Sequence, residues 1–90
     1  MQFEWDDAKD RKNIAKHGIP FRTAILVFAD PNRIEKYDDV YSLGEDRYLT
    51  IGEIDGTFMV LTVVYTERSE TIRIISARRA AKREKDTRPS

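Results

Sequence analysis

The sequence predicts an α+β fold, in which a small antiparallel β-sheet of three to five strands carries two N-terminal helices on one face and a C-terminal helix. Three observations support this prediction. After a short strand pattern at residues 2–5, two helical patterns come before the other strand patterns. The most apolar stretch, residues 57–78, contains two strand patterns joined by a short polar loop. Helices followed by a run of strands are typical of α+β proteins with antiparallel sheets.

Length and composition are those of one small domain. Ninety residues, 40% of them hydrophobic, can form a single core, so we expect one domain over 1–90 with a frayed tail at 86–90. The absence of cysteine excludes disulfides and thiolate metal sites, and with one histidine we expect no metal and no cofactor. There is no signal-peptide pattern and no apolar run of membrane-spanning length, so we expect a cytoplasmic protein that does not contact a membrane.

Charge is unevenly distributed although the formal net charge is zero. Residues 1–65 hold 8 basic and 12 acidic side chains, a balance of −4, whereas residues 66–90 hold 8 basic and 4 acidic, a balance of +4. A basic C-terminal part suits an anionic partner. A solvated basic tail is an equally good interpretation on charge alone.

Residues 2–31 predict a strand and two helices. Gln2–Trp5 alternates polar and apolar residues like a short strand, and Asp6 then suits the N-cap of a helix that ends near His17 with Gly18 as its C′ residue. The apolar stripe of this helix is thin: Ala8, Ile14 and Ala15. A second amphipathic helix begins at Pro20, has one apolar face, and stops at Asp30-Pro31; that face holds Phe21, Ala24, Ile25 and Phe28.

The remaining residues predict a β-meander and a last helix. Strand patterns cover 32–37, with Ile34 pointing inward, and then 47–54, 58–65 and 71–76, while the acidic segment 38–46 is predicted to be a loop. Asp55-Gly56 is a two-residue hairpin signal, and residues 67–70 form a four-residue loop. Residues 77–86 are predicted to be helical.

This register predicts a row of side chains on one face of the sheet. Arg47 lies opposite Val64, which lies opposite Arg73, so both arginines share a face that we interpret as a ligand surface. The opposite face is the more apolar and should pack on the second helix. Two alternatives stay open: the arginines pair with acids such as Asp46 or Glu67, or a bulge breaks the row.

Several motifs together resemble the BrnT family of bacterial type II toxins, over Phe3 to about Glu84. They are Trp5-Asp6 with Lys9, Asn13, Lys16-His17-Gly18 and Phe21, then Arg47 and Gly52, Tyr65-Thr66-Glu67-Arg68, and Arg73-Ile74-Ile75-Ser76-Ala77-Arg78. The resemblance implies a RelE-like fold and a ribonuclease toxin that arrests translation. It also implies a BrnA-like antitoxin with a ribbon-helix-helix DNA-binding region, so that the toxin meets DNA only through the antitoxin complex.

Metal-free RNA cleavage needs a base near the 2′-hydroxyl, an acid near the leaving oxygen and cations around the phosphorane. We expect His17, Arg47 and Arg73 to be catalytic, and four further residues to bind RNA: Lys16, Tyr65, Arg68 and Arg78. The identity of the base stays open among His17, Tyr65 and Glu67, because a lone histidine at a helix end is also typical of a surface residue.

Two other functions compete with this one. The same arginine-bearing face suits a non-catalytic module that binds RNA or an acidic protein. A DNA-binding regulator is disfavoured, because the sequence contains no helix-turn-helix or ribbon-helix-helix pattern.

Overall fold

The computed structural model describes residues 1–39 and 44–89. The strands are β1 (Gln2–Trp5), β2 (Ile34–Tyr37), β3 (Tyr48–Ile54), β4 (Met59–Arg68) and β5 (Thr71–Arg79). The helices are α1 (Asp7–His17), α2 (Phe21–Ala24), a 3-10 helix (Ile25–Ala29) and α3 (Lys82–Thr87). The predicted last helix began too early, because residues 77–79 continue β5. The predicted loop 38–46 lies partly outside the described residues.

The strands form one five-stranded sheet in the order β1-β5-β4-β3-β2. The α+β prediction is confirmed, but the sheet is mixed, because β1 pairs parallel to β5 while the other pairs are antiparallel. A hairpin turn enforces antiparallel pairing between neighbours in sequence. No such turn constrains β1, since both N-terminal helices and three strands separate it from its partner.

Helix α1 has the predicted ends but not the predicted buried face. The Asp6 carboxylate accepts a hydrogen bond from the Lys9 backbone N–H at 3.0 Å, and Gly18 closes the helix at φ 72°. The predicted apolar stripe is wrong, since Ala8, Ile14 and Ala15 are all exposed. The buried residue of α1 is Asn13, because α1 lies along β5 and meets its backbone there.

The second predicted helix is a short α-helix that continues as a 3-10 helix. Its buried residues are Phe21 and Ala24 of α2 and Val27 of the 3-10 helix, spaced by three, while Ile25 and Phe28 are half-buried against the core. Gly52 of β3 permits the close approach of this segment. A Cβ atom at Gly52 would lie 2.9 Å from the carbonyl oxygen of Val27.

The core lies between this helical segment and one face of the sheet. That face is the one predicted to be the more apolar: it presents Leu61, Val63 and Tyr65 of β4, with Ile72 and Ile74 of β5. Phe28 packs edge-on against Tyr65 with ring centroids 5.1 Å apart. Side chains at the intervening positions of β4 therefore point to the outer face of the sheet.

Both hairpins differ by two residues from the predicted register. Ile54 pairs with Met59, so four residues, Asp55 to Phe58, form the first turn, and Leu49 rather than Arg47 lies opposite Val64. In the second hairpin Arg68 pairs with Thr71, so the turn is only Ser69-Glu70. A shift of two keeps every side chain on its predicted face, because the side-chain period of a strand is two.

A bulge in β5 also changes the pairing of β4 with β5. Tyr65 pairs with Ile74 but Val64 pairs with Ser76, which leaves Ile75 as an extra residue. Beyond the bulge Thr66 pairs with Arg73, and the β3 register continued by one residue puts Arg47 beside Thr66. The two arginines therefore share a row as predicted, with Thr66 rather than Val64 between them.

The C-terminal segment is attached rather than frayed. Arg88 donates from Nε to Asp30 Oδ2 at 2.6 Å and from Nη2 to Asp30 Oδ1 at 2.9 Å. The Asp30 side chain is 3% exposed and that of Arg88 14%. Backbone N–H groups of Asn32 and Glu53 also donate to Asp30. The predicted frayed tail is therefore wrong at Arg88, because a buried carboxylate binds this arginine.

Candidate active site

A small pocket on the outer face of the sheet brings the predicted arginines together. This arginine pocket has a volume of about 170 Å³ and is lined by Lys9, Glu45, Arg47, Thr66, Arg68, Arg73 and Ile75. Its side chains come from helix α1, strands β4 and β5, and the segment just before β3. The excess of cations makes it suited to an anionic ligand.

Two of the pocket arginines form ion pairs with glutamates. Arg73 Nη1 donates to Glu4 Oε2 at 2.6 Å, and Glu4 lies beside Arg73 in the pairing of β1 with β5. Arg68 donates to Glu45 through both Nε and Nη2, and these bonds lower the pKa of Glu45 and raise that of Arg68. The predicted alternative of an acid partner is thus confirmed for Arg73, although the partner is Glu4 rather than Asp46 or Glu67. Ion pairs this exposed add little stability, so an anion can compete for the arginines.

A second depression adjoins the arginine pocket along helix α1. This lysine groove has a volume of about 220 Å³ and is lined by Lys9, Lys12, Asn13, Lys16, His17, Ile75 and Ser76. Lys9 and Ile75 line both depressions, so they form one continuous surface. The three lysines lie at i, i+3 and i+7, which places them on one side of the helix.

Asn13 fixes the lysine side of α1 against β5. Its Nδ2 donates to the Ala77 carbonyl oxygen at 2.8 Å, and its Oδ1 accepts from the Ala77 N–H at 3.1 Å. The same Nδ2 donates to the Ile19 carbonyl oxygen at 2.9 Å. β1 pairs with β5 only as far as Ile74. The Asn13 amide therefore takes the place of a strand partner beyond the end of β1.

His17 lines the lysine groove, and the other two candidate bases lie elsewhere. Tyr65 is 1% exposed on the core face, where it donates to the Glu35 carboxylate, and burial together with this bond raises its pKa. Tyr65 therefore cannot contact RNA in this conformation, because it alternates with Thr66 along β4 and points inward. Glu67 is two residues further along β4 and therefore lies on the same face as Tyr65. It lines a separate depression with Met1 and Ile72.

Arg78 is on the outer face but serves to hold the C-terminal helix. It pairs with Thr62 across β4 and β5, several residues from the Thr66–Arg73 pair. Its Nη1 and Nη2 donate to the two carboxylate oxygens of Glu84 at 2.7 and 2.8 Å. These bonds lower the pKa of Glu84 to about 2. The predicted RNA contact of Arg78 is therefore less well supported than that of Arg68, which lines the arginine pocket.

Seven residues that line this surface were not among the predicted site residues: Lys9, Lys12, Asn13, Glu45, Thr66, Ile75 and Ser76. The sequence contained a signal for the two lysines, namely their helical spacing with the predicted RNA-binding residue Lys16. Thr66 could have been found only from the correct strand register. Among residues 1–39 and 44–89, no group of three or more histidine, cysteine or acidic side chains is placed to hold a metal ion, and no helix is long and apolar enough to cross a membrane.

Comparison with known proteins agrees with the resemblance seen in the sequence. A family model described as ribonuclease toxin, BrnT, of type II toxin-antitoxin system matches residues 5–84. This match covers most of the chain, including every residue of the arginine pocket and the lysine groove. No curated protein sequence matches the chain.

Proposed function

Because the chain belongs to the BrnT family of ribonuclease toxins of type II toxin-antitoxin systems, we propose that it is a metal-independent endoribonuclease that inhibits translation. The observation that carries this proposal is the row of Arg47, Thr66 and Arg73 at the floor and sides of one cationic pocket. Cations fixed around a phosphate stabilise the extra negative charge that develops during cleavage.

The proposed reaction is an internal transfer at phosphorus. The 2′-oxygen of a ribose attacks the adjacent phosphorus, the bond to the 5′-oxygen breaks, and a 2′,3′-cyclic phosphate remains on the upstream product. Arg47 and Arg73 bind the non-bridging oxygens. The 2′-hydroxyl loses its proton to a base and the leaving 5′-oxygen gains one from an acid. His17, which borders the same surface, serves in one of these transfers and water in the other.

The lysine groove supplies the binding energy for the flanking backbone. Lys9, Lys12 and Lys16 form a line of cations that continues from the arginine pocket along α1. Lysine ammonium groups act as point charges for phosphates and carry no base specificity. Single-stranded RNA that enters the pocket would therefore be held along α1.

The proposed partner of the toxin is a cognate ribbon-helix-helix antitoxin, BrnA-like, through which the complex contacts DNA. Apolar side chains around the arginine pocket support an amphipathic partner with acidic groups. Leu49, Val60 and Ile75 are half-buried on this face, whereas Ile51 is fully buried and offers no contact. The apolar contribution of the surface is therefore modest, and its charge matters more.

Induced expression in a bacterial host tests the proposed function. The wild-type chain should arrest growth and degrade cellular RNA, and Arg73→Ala should do neither while accumulating to the same level. A non-catalytic module that binds RNA or an acidic protein would leave the RNA intact, and this result would contradict the proposal.

A further inference from the structure

Two threonines on the outer face of β4 bury hydroxyl groups that have no hydrogen-bond partner in the part of the chain that the structure describes. They are Thr62, which is fully buried, and Thr66, which is 2% exposed. A buried hydroxyl without a partner destabilises a fold, and valine has the same shape without that cost. Each hydroxyl therefore calls for an explanation other than packing.

Thr62 has an acceptor close by. Its cross-strand partner is Arg78, whose guanidinium binds Glu84. The acceptor is the Glu84 carboxylate. Its pKa is lowered most by Arg78, then by the Ala81 N–H, and least by the Thr62 hydroxyl, whose geometry falls short of a hydrogen bond. A small movement of α3 would satisfy Thr62 within the protein.

Thr66 has neighbours of the opposite kind. It lines the arginine pocket together with the cations Lys9, Arg47, Arg68 and Arg73. Arginine and lysine side chains are donors only, so none of them can accept the Thr66 proton. The pocket lining also includes one carboxylate, Glu45, which binds Arg68, and Arg73 binds Glu4, but neither carboxylate accepts a hydrogen bond from Thr66. What the Thr66 hydroxyl lacks is an acceptor, and the charge around it favours an anionic one.

We propose that Thr66 is a substrate-binding residue that donates a hydrogen bond to a non-bridging oxygen of the RNA phosphate held between Arg47 and Arg73. This inference rests on the proposed function of the pocket and adds a neutral donor to the two arginines that hold the phosphate. Strand β4 holds Thr66 rigidly from both sides, through β3 and β5. The backbone that carries the donor is therefore fixed before the phosphate arrives, and because the hydroxyl oxygen is closed to solvent, pocket side chains must shift for the phosphate to reach it.

The test compares Thr66→Val with Thr62→Val, which removes the matched hydroxyl from the same face of the same strand. Affinity is measured for an oligoribonucleotide with 2′-O-methyl groups, which cannot be cleaved, and the cleavage rate is measured on the unmodified RNA. We expect Thr66→Val to weaken binding or slow cleavage by about 10- to 100-fold, the usual loss for a hydrogen bond to a charged group. Thr62→Val should behave like wild type, Thr66→Ser should bind more tightly than Thr66→Val because it keeps the hydroxyl, and neither valine variant should lower the melting temperature.

Equal binding and cleavage by Thr66→Val and wild type would overturn the inference. So would equal losses in both valine variants, because the hydroxyls would then matter only to the fold. If Thr66→Val does not fold, an intact Thr66→Ser that has lost affinity would also overturn it. Wild-type protein that binds the modified RNA but does not cleave the unmodified one would contradict the proposed function alone, since the binding comparison still tests Thr66.

Discussion

Asn13 on α1 and Ala77 on β5 exchange two hydrogen bonds, 2.8 and 3.1 Å long, between a side-chain amide and a backbone peptide group. A helix residue thereby completes the edge of the sheet where β1 ends. The same contact sets the lysine side of α1 beside the arginine pocket. Asn13 thus stabilises the edge of the sheet and also fixes the position of the α1 lysines beside the arginine pocket.

Asn13→Ala should lower the free energy of unfolding by at least about 2 kcal/mol, because it leaves buried peptide groups of Ala77 and Ile19 without partners. Urea denaturation measures the change. Ile14→Ala is the matched control, since Ile14 is the adjacent residue but is 40% exposed, and it should cost less than about 1 kcal/mol. Similar losses in the two variants would contradict a structural role of the amide.

Arg88→Met should destabilise the protein by about 3 kcal/mol at neutral pH, because it leaves the Asp30 carboxylate buried without its cation. Lys82→Met removes the exposed pair with Asp86 at 3.1 Å and should cost less than about 0.5 kcal/mol. Thermal or urea unfolding measures both. Equal small effects would mean that the C-terminal segment is not held by Arg88.

The difference between wild type and Arg88→Met should also depend on pH. The guanidinium of Arg88 lowers the pKa of Asp30 far below its usual value. A lowered carboxyl pKa contributes stability above the unfolded-state value of about 3.9, and this stability is lost as the pH falls towards the folded-state value. The difference should therefore be largest above about pH 5 and shrink on acidification. A constant difference down to pH 2 would contradict this assignment.

Replacement of Lys9, Lys12 and Lys16 by glutamine should weaken RNA binding and make it less dependent on salt. Each phosphate contact to a single strand contributes about 0.7 to the slope of log affinity against log salt, so the triple variant should lose about 2. Arg11→Gln is the control, because Arg11 is exposed on α1 but does not line the groove. An unchanged slope in the triple variant would show that RNA does not follow α1.

The antitoxin should cover the outer face of the sheet in the toxin–antitoxin complex. Hydrogen exchange of the complex, compared with the toxin alone, should show protection in 47–51 and 60–78. Protection confined to 20–30 would contradict this prediction, because that segment packs in the core. Protection of the C-terminal helix alone would contradict it too, and would indicate that the antitoxin displaces residues 79–86 from Arg78.

The order of elements could be predicted from the sequence because local signals mark it. Asp6 and Gly18 gave α1 its ends, and the apolar run of β4 indicated the sheet. The register could not be predicted, since both turns depend on positive φ angles at Phe58, Ser69 and Glu70. Residues other than glycine rarely adopt such angles, so the sequence contains no signal for them.

The candidate site was predicted in part, for a related reason. Arg47 and Arg73 share a row because two register errors of two residues left both of these side chains on their predicted face. The roles of Asn13 and Arg88 depend on single partners far along the chain, and hydrophobic patterning treats such polar residues as exposed. The expected RNA contact of Tyr65 followed from the family resemblance, whereas alternation with Thr66 along β4 places Tyr65 on the core face, where it is 1% exposed.

Cleavage of RNA by the purified protein in EDTA, compared between wild type, Arg47→Ala and Arg73→Ala, tests the role of the arginine pocket most directly. Wild type should cleave without a divalent ion and leave 2′,3′-cyclic or 3′-phosphate ends. Each pocket variant should remain folded and lose ~10²-fold or more in rate. Arg79→Ala should keep full activity, since Arg79 pairs with Leu61 on the other side of the sheet. Full activity in both pocket variants, or activity that vanishes in EDTA and returns with magnesium, would contradict the account.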